Sequence, residues 1–330
     1  MKEADLILEL GQILAPIRDE IEKMSEFFVR ELQGSSPRIQ ELVAHVSRYR
    51  GKRLRSAQVL LVGKGFGDLT TAHLRVAAIV EMIHTATLVH DDILDEATIR
   101  RRLPSVNARW GNNTAVLLGD YIYAKAFSIS TRLESQIASR TLSEVTKTIC
   151  QGEIEQISHR HDFALTEARY LEMIGAKTAS LYAAACELGA TYADAPEMAA
   201  RELHRFGWSL GLAFQIIDDC LDLEGSEAVV GKSLGTDVAE GKLTLPILHV
   251  LAKLPEAGRR RVEAIYRDPS LKDRVGALWS EFDVRSGLEY SFVRAEGFIK
   301  EALRALSPMP PGPCRSSLEA MAEYVLCRKW

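Results

Sequence analysis

The chain has 330 residues, enough for one large domain or two ordinary ones, and with 47% apolar and 26% charged residues it has the composition of a globular protein. A net charge of −4 argues against a general nucleic-acid surface. Five cysteines, an odd number without a Cys-x-x-Cys pair, fit reduced thiols in a cytosolic protein better than a disulfide scaffold. The N-terminus has no basic segment ahead of an apolar run, and no stretch reaches the roughly 18 charge-free apolar residues of a membrane helix, so a soluble, cytoplasmic protein is expected.

Proline placement sets the fold class. Four of eleven prolines crowd into Ser307–Pro313, and the rest are far apart. Between them run long segments of helical periodicity without a convincing alternating strand. Residues 5–33 read as one or two amphipathic helices, and 38–47 as another. The basic stretch Arg48–Arg55 opens an apolar helix over Ser56–Val62, and a helix N-terminus beside Lys and Arg is an anion site. Gly63-Lys64-Gly65-Phe66-Gly67 lacks nucleotide-loop spacing and reads as a helix-ending loop. A helix over 70–96 is followed by Arg100-Arg101-Arg102 and a loop at Leu103-Pro104-Ser105.

Further helices are expected over Asn113–Leu133, 139–160, 167–191 and 196–223. On the second of these, Glu153, Glu155, Gln156 and His159 form a polar face. His159 and His161 fall on different sides of a helix and read as surface residues rather than metal ligands. Glu224–Gly241 reads as a glycine-rich loop of the kind that closes over a site. More helices lead to the proline-rich turn and a last one at about 315–327. No linker divides the chain, so one all-α domain over 1–330 is expected.

Two acidic runs stand out, Asp91-Asp92-Ile93-Leu94-Asp95 and Asp218-Asp219-Cys220-Leu221-Asp222. Each places carboxylates at i, i+1 and i+4, and i and i+4 share a helix face. Both follow apolar helix, where three like charges are costly unless cations neutralise them. A single such run is usually a solvated acidic face; two in similar settings, each followed by basic residues, point to a site. Oxygen-only ligands that leave room for water and phosphate suit Mg²⁺. Lys52 and Arg55 (i, i+3), Arg100 and Arg101, Lys177, Lys232 and Lys242 supply cations in comparable number. Metal-bridged carboxylates at one diphosphate and Arg or Lys at a second would serve two diphosphates in one cavity.

The motifs Gly51-Lys52-Arg53-Leu54-Arg55, His84 through Asp95 with Arg100-Arg101, Gly119-Asp120, Lys177-Thr178, Phe214 through Asp219, and Gly231-Lys232 through Pro246 lie in order over most of the chain. In this set the sequence resembles the trans-isoprenyl diphosphate (polyprenyl) synthases, most of all the long-chain octaprenyl and solanesyl type. The resemblance implies an all-α helical bundle of isoprenoid synthase type around a deep central cavity, usually a homodimer, requiring Mg²⁺. Lys52, Arg55, His84 and Arg101 would bind isopentenyl diphosphate. Asp91, Asp95 and Asp218 would coordinate the metal, with Asp92, Asp219 and Asp222 in support. Arg100, Lys177, Thr178, Gln215, Lys232 and Lys242 would hold the allylic diphosphate, with Lys177 and Lys232 serving catalysis as the leaving group departs. Read from the residues alone, His84 could equally be a satisfied core histidine.

Elongation needs an apolar tunnel beneath the first acidic run. Ala86 and Thr87, one turn below Asp91, are small where an aromatic would resemble short-chain enzymes. A product longer than C20 is therefore expected, with Met82, Ile83 and the 116–127 and 149–157 helices as candidates for the tunnel floor. Two departures touch the motifs: Arg102 stands where the family usually has Gly after the Arg pair, and Ser56 where Pro is common.

Rival readings are a short-chain farnesyl or geranylgeranyl synthase and a non-catalytic subunit of a heteromeric synthase, which would be expected to have lost one acidic run. A terpene cyclase need not keep the second run, and a di-iron bundle would need two Glu-x-x-His motifs where only Glu81–His84 is found.

Overall fold

Long apolar segments without interior proline fold here into helices that pack on one another. The computed structural model describes residues 10–34, 36–49, 51–224 and 235–327. After a 3₁₀ turn at Ala15–Ile17, the chain forms α1 (Arg18–Leu32), α2 (Pro37–Val46), α3 (Leu54–Phe66) and α4 (Thr71–Leu94). A two-stranded ribbon, β1 (Ile99–Arg100) and β2 (Leu103–Pro104), leads to α5 (Val106–Trp110), α6 (Asn112–Ser130) and α7 (Ile137–Ser158). Next come α8 (Glu167–Ile174), a π-helical turn at Gly175–Ala179, α9 (Ser180–Tyr192) and α10 (Glu197–Glu224). The remainder is α11 (Thr236–Ala239), α12 (Leu245–Lys253), α13 (Glu256–Arg267), α14 (Arg274–Glu281), α15 (Val284–Ala305) and α16 (Pro313–Cys327).

The most extensive packing joins α9 to α10, α10 to α15, α4 to α6 and α9 to α3. A contiguous apolar core runs from Ile13 to Val325. Residue size sets the closest crossing. On α10, Gly207 lies against the α9 backbone, where a Cβ would sit 2.7 Å from the Ala183 Cα and collide with the Tyr182 carbonyl oxygen. Gly207→Ala therefore forces the two central helices apart and is expected to cost about 2–3 kcal/mol, read as a lower urea midpoint. An unchanged midpoint would show that the crossing gives way easily.

Helix α4 is long and apolar enough to span a membrane by composition, yet 61% of its most apolar stretch is buried within the protein. Among the described residues no disulfide joins any of the five cysteines.

Three local expectations are corrected. Gly63–Phe66 is the last turn of α3, not a loop, with Gly67 as its C-cap; the glycines there admit the rings and methyls of His73 and Met309 rather than break the helix. The expected loop at 103–105 starts with β2, which pairs antiparallel with β1. The expected helix over 167–191 is interrupted by the π-turn, which carries Lys177 and Thr178.

The β1–β2 turn is made by Arg101 and Arg102, both left-handed at φ 50° and 64°. A two-residue hairpin turn of type I′ has positive φ at both central positions. Glycine would adopt that geometry freely, whereas a side chain costs roughly 1–2 kcal/mol. The Arg at 102 is thus held where glycine fits best.

Candidate active site

Both acidic runs end their helices. Asp91 and Asp92 lie in the last turn of α4, with Asp95 as its C-cap, and Asp218–Asp222 lies in the last two turns of α10. Helix C-termini carry partial negative charge, so each run adds like charge to a negative end. That arrangement calls for cations, and the fold brings them.

The six aspartates divide into two sets of three. Asp92 is fully buried and takes Arg100 on one oxygen, with Nε at 2.6 Å and a terminal nitrogen at 2.5 Å. Asp219 is buried and accepts from the Tyr170 hydroxyl at 2.6 Å and the Gln215 amide at 2.7 Å. Asp222 accepts from the Thr236 hydroxyl and the Asp237 N–H, both at 3.0 Å, and so caps α11. Asp91, Asp95 and Asp218 are only half-buried. Asp95 receives Lys242 Nζ at 3.1 Å.

The π-turn links the runs. Lys177 Nζ contacts Glu153 at 2.5 Å and Gln156 at 2.9 Å, both on α7. The next residue, Thr178, donates to Gln215 Oε1 at 2.8 Å, and Gln215 in turn holds Asp219. Glycine at 152 lets α7 close on this turn, since a Cβ there would meet the Lys177 backbone nitrogen at 2.7 Å. A π-turn in a helix often marks a functional position. Here it offers two successive side chains to two different helices.

Burial pushes the Asp91 carboxyl up to about 6, and the charges of Glu153 and Asp95 add to it against the pull of Lys177 and Arg100. Burial likewise pushes Asp219 up to about 7, helped by the charge of Asp237 and opposed by its bonds from Tyr170 and Gln215. Burial works against the charge on Lys177, but Asp91 and Glu153 outweigh it and hold the ammonium above its usual range. At Lys242 burial is outweighed in the same way by Asp237, Asp95 and Glu240.

A second cationic group gathers at the start of α3. Arg55 lies 4.2 Å above the Tyr182 ring and 3.3 Å from His84 Nε2, and its Nε is buried without a hydrogen-bond partner. Lys52 Nζ lies 5.1 Å from the Tyr324 ring of α16. Arg101 lies across Gly51, where a Cβ would be 2.5 Å from its Cζ, and donates to the Tyr49 carbonyl. Burial, then the charges of Arg55, Arg101 and Arg100, hold His84 well below its usual range, so its imidazole is neutral.

The family model for polyprenyl synthetases matches residues 36–281, from the segment before the basic turn to well past Lys242. The chain belongs to the polyprenyl synthetase family. It is 36% identical over 321 residues to the all-trans-nonaprenyl-diphosphate synthase (geranyl-diphosphate specific) of Rhodobacter capsulatus, covering 96% of this chain and 97% of that one. It is 35% identical over 315 residues to heptaprenyl diphosphate synthase component 2 of Bacillus subtilis, covering 95% and 89%. The structure of a polyprenyl synthase from Caulobacter crescentus, complexed with calcium and isoprenyl diphosphate, superposes with a TM-score of 0.91 at 32% identity and covers 96% of this chain and 97% of that one. The fold is therefore the all-α isoprenoid synthase fold, and the protein is a trans-prenyltransferase acting on isoprenoid diphosphates.

In this polyprenyl synthetase the donors suit a hard divalent cation. They are oxygen only, and one oxygen each of Asp92 and Glu153 is buried without a partner. Among the described residues no three His, Cys, Asp or Glu side chains form a ready cage. Mg²⁺ is commonly held by one or two carboxylates together with water and substrate phosphates, so a split donor set fits it.

Three site carboxylates escaped the sequence reading. Glu153 was placed on a polar face, yet it meets Lys177. Asp237 and Glu240 lie 3.8 and 2.9 Å from Lys242; their position just before a lysine was the available signal. His161 is no helix residue: it is left-handed at φ 58°, and its N–H donates to the Gly241 carbonyl, next to Lys242. Lys232, with most of the expected loop at 224–241, lies outside the described residues.

The Asp91 shift has a direct check. A carboxyl raised by folding contributes stability that is complete below its unfolded value and is lost as pH rises through its folded one. In metal-free protein the Asp91 carboxyl carbon is expected to titrate at about 6 by NMR, and its midpoint should move down when Mg²⁺ is added. A metal-free midpoint at the ordinary value of 3.8 would contradict the crowding described above.

Proposed function

We propose that this synthase condenses an allylic diphosphate with successive isopentenyl diphosphates, with Mg²⁺, to give an all-trans polyprenyl diphosphate longer than C20 and inorganic diphosphate. One observation carries the reading. His84, Asp91 and Asp95 lie at i, i+7 and i+11 on α4, so the basic turn at one end and the acidic runs at the other address one helix face about 10 Å apart. That spacing suits two diphosphates whose hydrocarbon ends meet between them.

Asp91, Asp95 and Asp218 would hold Mg²⁺, whose positive charge would stabilise the departing diphosphate. Lys177, Lys242 and Arg100, held by Glu153, Asp95 and Asp92, are preplaced to receive the negative charge that develops as the allylic C–O bond breaks. Arg55, Arg101 and neutral His84 would fix the second diphosphate so that the isopentenyl double bond faces the allylic carbon. No side chain stands out as a base, and the proton lost after C–C bond formation would pass to the departing diphosphate. Thr178 and Gln215 lock the π-turn and so keep Lys177 in register.

We read the active form as a homodimer and place it in the cytoplasm. Supporting the dimer are exposed apolar side chains on two helices, Val116 and Leu117 on α6 and Ile154 and Ile157 on α7. The name of the B. subtilis relative, component 2, favours a second reading, a subunit that requires a different partner chain.

Purified protein incubated with Mg²⁺, labelled isopentenyl diphosphate and farnesyl diphosphate should yield a ladder ending beyond C20. Products stopping at C15 or C20, with a shorter primer also tried, would retain the condensation and overturn the length. No incorporation by the isolated chain would move the partner-subunit reading forward.

A further inference from the structure

Ser56 occupies the third position of α3. A proline is tolerated there, because the N–H groups of a first helical turn have no intrahelical acceptor. In this chain the position does something a proline cannot. The Ser56 side chain is fully buried, and its hydroxyl lies 2.9 Å from Glu81 Oε2 on α4 and 3.1 Å from the Arg53 carbonyl. A hydroxyl has one proton to give, and an ionised carboxylate takes it more strongly than a carbonyl.

Glu81 lies one helical turn before His84, which meets Arg55 at 3.3 Å. It is thus a carboxylate placed inside an anion-binding group. Burial and the charges of Arg100 and Arg55 weigh against a proton on Arg101, and Glu81 is the largest attractive charge that opposes them. Arg101 is otherwise tied to the Tyr49 carbonyl and lies over Gly51.

We propose that Ser56 and Glu81 are positioning residues for isopentenyl diphosphate: the Ser56 hydroxyl fixes the Glu81 carboxylate one turn before His84, the neighbour of Arg55, where its negative charge offsets the repulsion between Arg55 and Arg101. The two guanidinium groups then face the incoming diphosphate without first repelling one another apart. When the diphosphate arrives it takes over the neutralising role. The inference rests on the basic turn being the isopentenyl diphosphate site.

The test is steady-state kinetics with each substrate varied in turn. Glu81→Gln is expected to raise KM for isopentenyl diphosphate about tenfold, the scale of one hydrogen bond to a charged group. Ser56→Ala and Ser56→Pro should raise it in the same direction, and Ser56→Thr, which keeps the hydroxyl, should restore it. KM for the allylic diphosphate should stay within about twofold throughout. Equal changes in both KM values, or a fall in Tm with unchanged KM, would overturn the proposal and leave Ser56–Glu81 as a bond between two helices. If Glu81→Gln fails to fold, the three Ser56 variants decide. Arg55→Ala separates the two levels: if it leaves KM for isopentenyl diphosphate unchanged, the site reading itself has failed; if it raises KM while the Ser56 and Glu81 variants do not, only the positioning role has.

Discussion

Asp91→Asn is expected to lower prenyl transfer by about two to three orders of magnitude, the scale seen when one group that stabilises transition-state charge is removed, while leaving folding stability intact. The reasoning follows from what Asp91 meets. It is half-buried among Asp95 and Glu153, and burial already pushes its carboxyl up to about 6. An amide of the same shape removes a repelling charge from that group, so the metal-free fold loses nothing. What it removes is a proposed metal donor and part of the field that holds Lys177 charged. Asp92→Ala behaves in the opposite way. Asp92 is fully buried against Arg100, and losing one partner of a buried pair costs about 3–5 kcal/mol because the other charge is left uncompensated. Condensation rate at saturating Mg²⁺ and urea denaturation, measured on both variants, separate the roles. An Asp91→Asn enzyme that keeps a tenth of its rate, or an Asp92→Ala protein as stable as the parent, would break this division of the run.

Neighbours in sequence made part of the site legible. The two acidic runs could be found by spacing and by the apolar helix around them, and Arg100 lies eight residues from the Asp92 it binds. The split of each run could not be found that way. Asp219 depends on Tyr170, forty-nine positions away, and nothing local distinguishes it from Asp218. The π-turn left little trace beyond Gly175, because a π-turn uses ordinary helix formers and differs only by one inserted residue. Glu153 falls on a polar face of Glu, Glu, Gln and His, and such a face is usually wet; here the turn carrying Lys177 covers it. The glycine run at 63–67 read as a breaker because glycine is permissive, although at Gly63 the missing side chain makes room for the His73 ring. Arg101 and Arg102 form a left-handed turn that no glycine announces.

Thr87→Phe is expected to truncate the product ladder to C20 or shorter while the first condensation continues. Thr87, Asp91 and Asp95 are spaced by four and share the face of α4 that addresses the reaction. Thr87 is half-buried, its hydroxyl turned back to the His84 carbonyl at 2.7 Å. A phenyl ring there would extend into the space proposed for the growing chain, one turn below the carboxylates proposed to hold the metal. Ala86 was expected to act with it, but the structure separates the two. The adjacent position is rotated by about 100° on a helix, and Ala86 is fully buried with Met82 and Val89 in the packed core. Ala86→Phe must therefore displace core side chains, at about 1–3 kcal/mol or more, before it can reach the growing chain. Chromatography of the products and urea denaturation distinguish the variants: Thr87→Phe should shorten the ladder at unchanged stability, and Ala86→Phe should shorten it only together with a lower midpoint. A Thr87→Phe enzyme with an unaltered ladder would place the tunnel on another face of α4, and the small residue at 87 would then say nothing about product length.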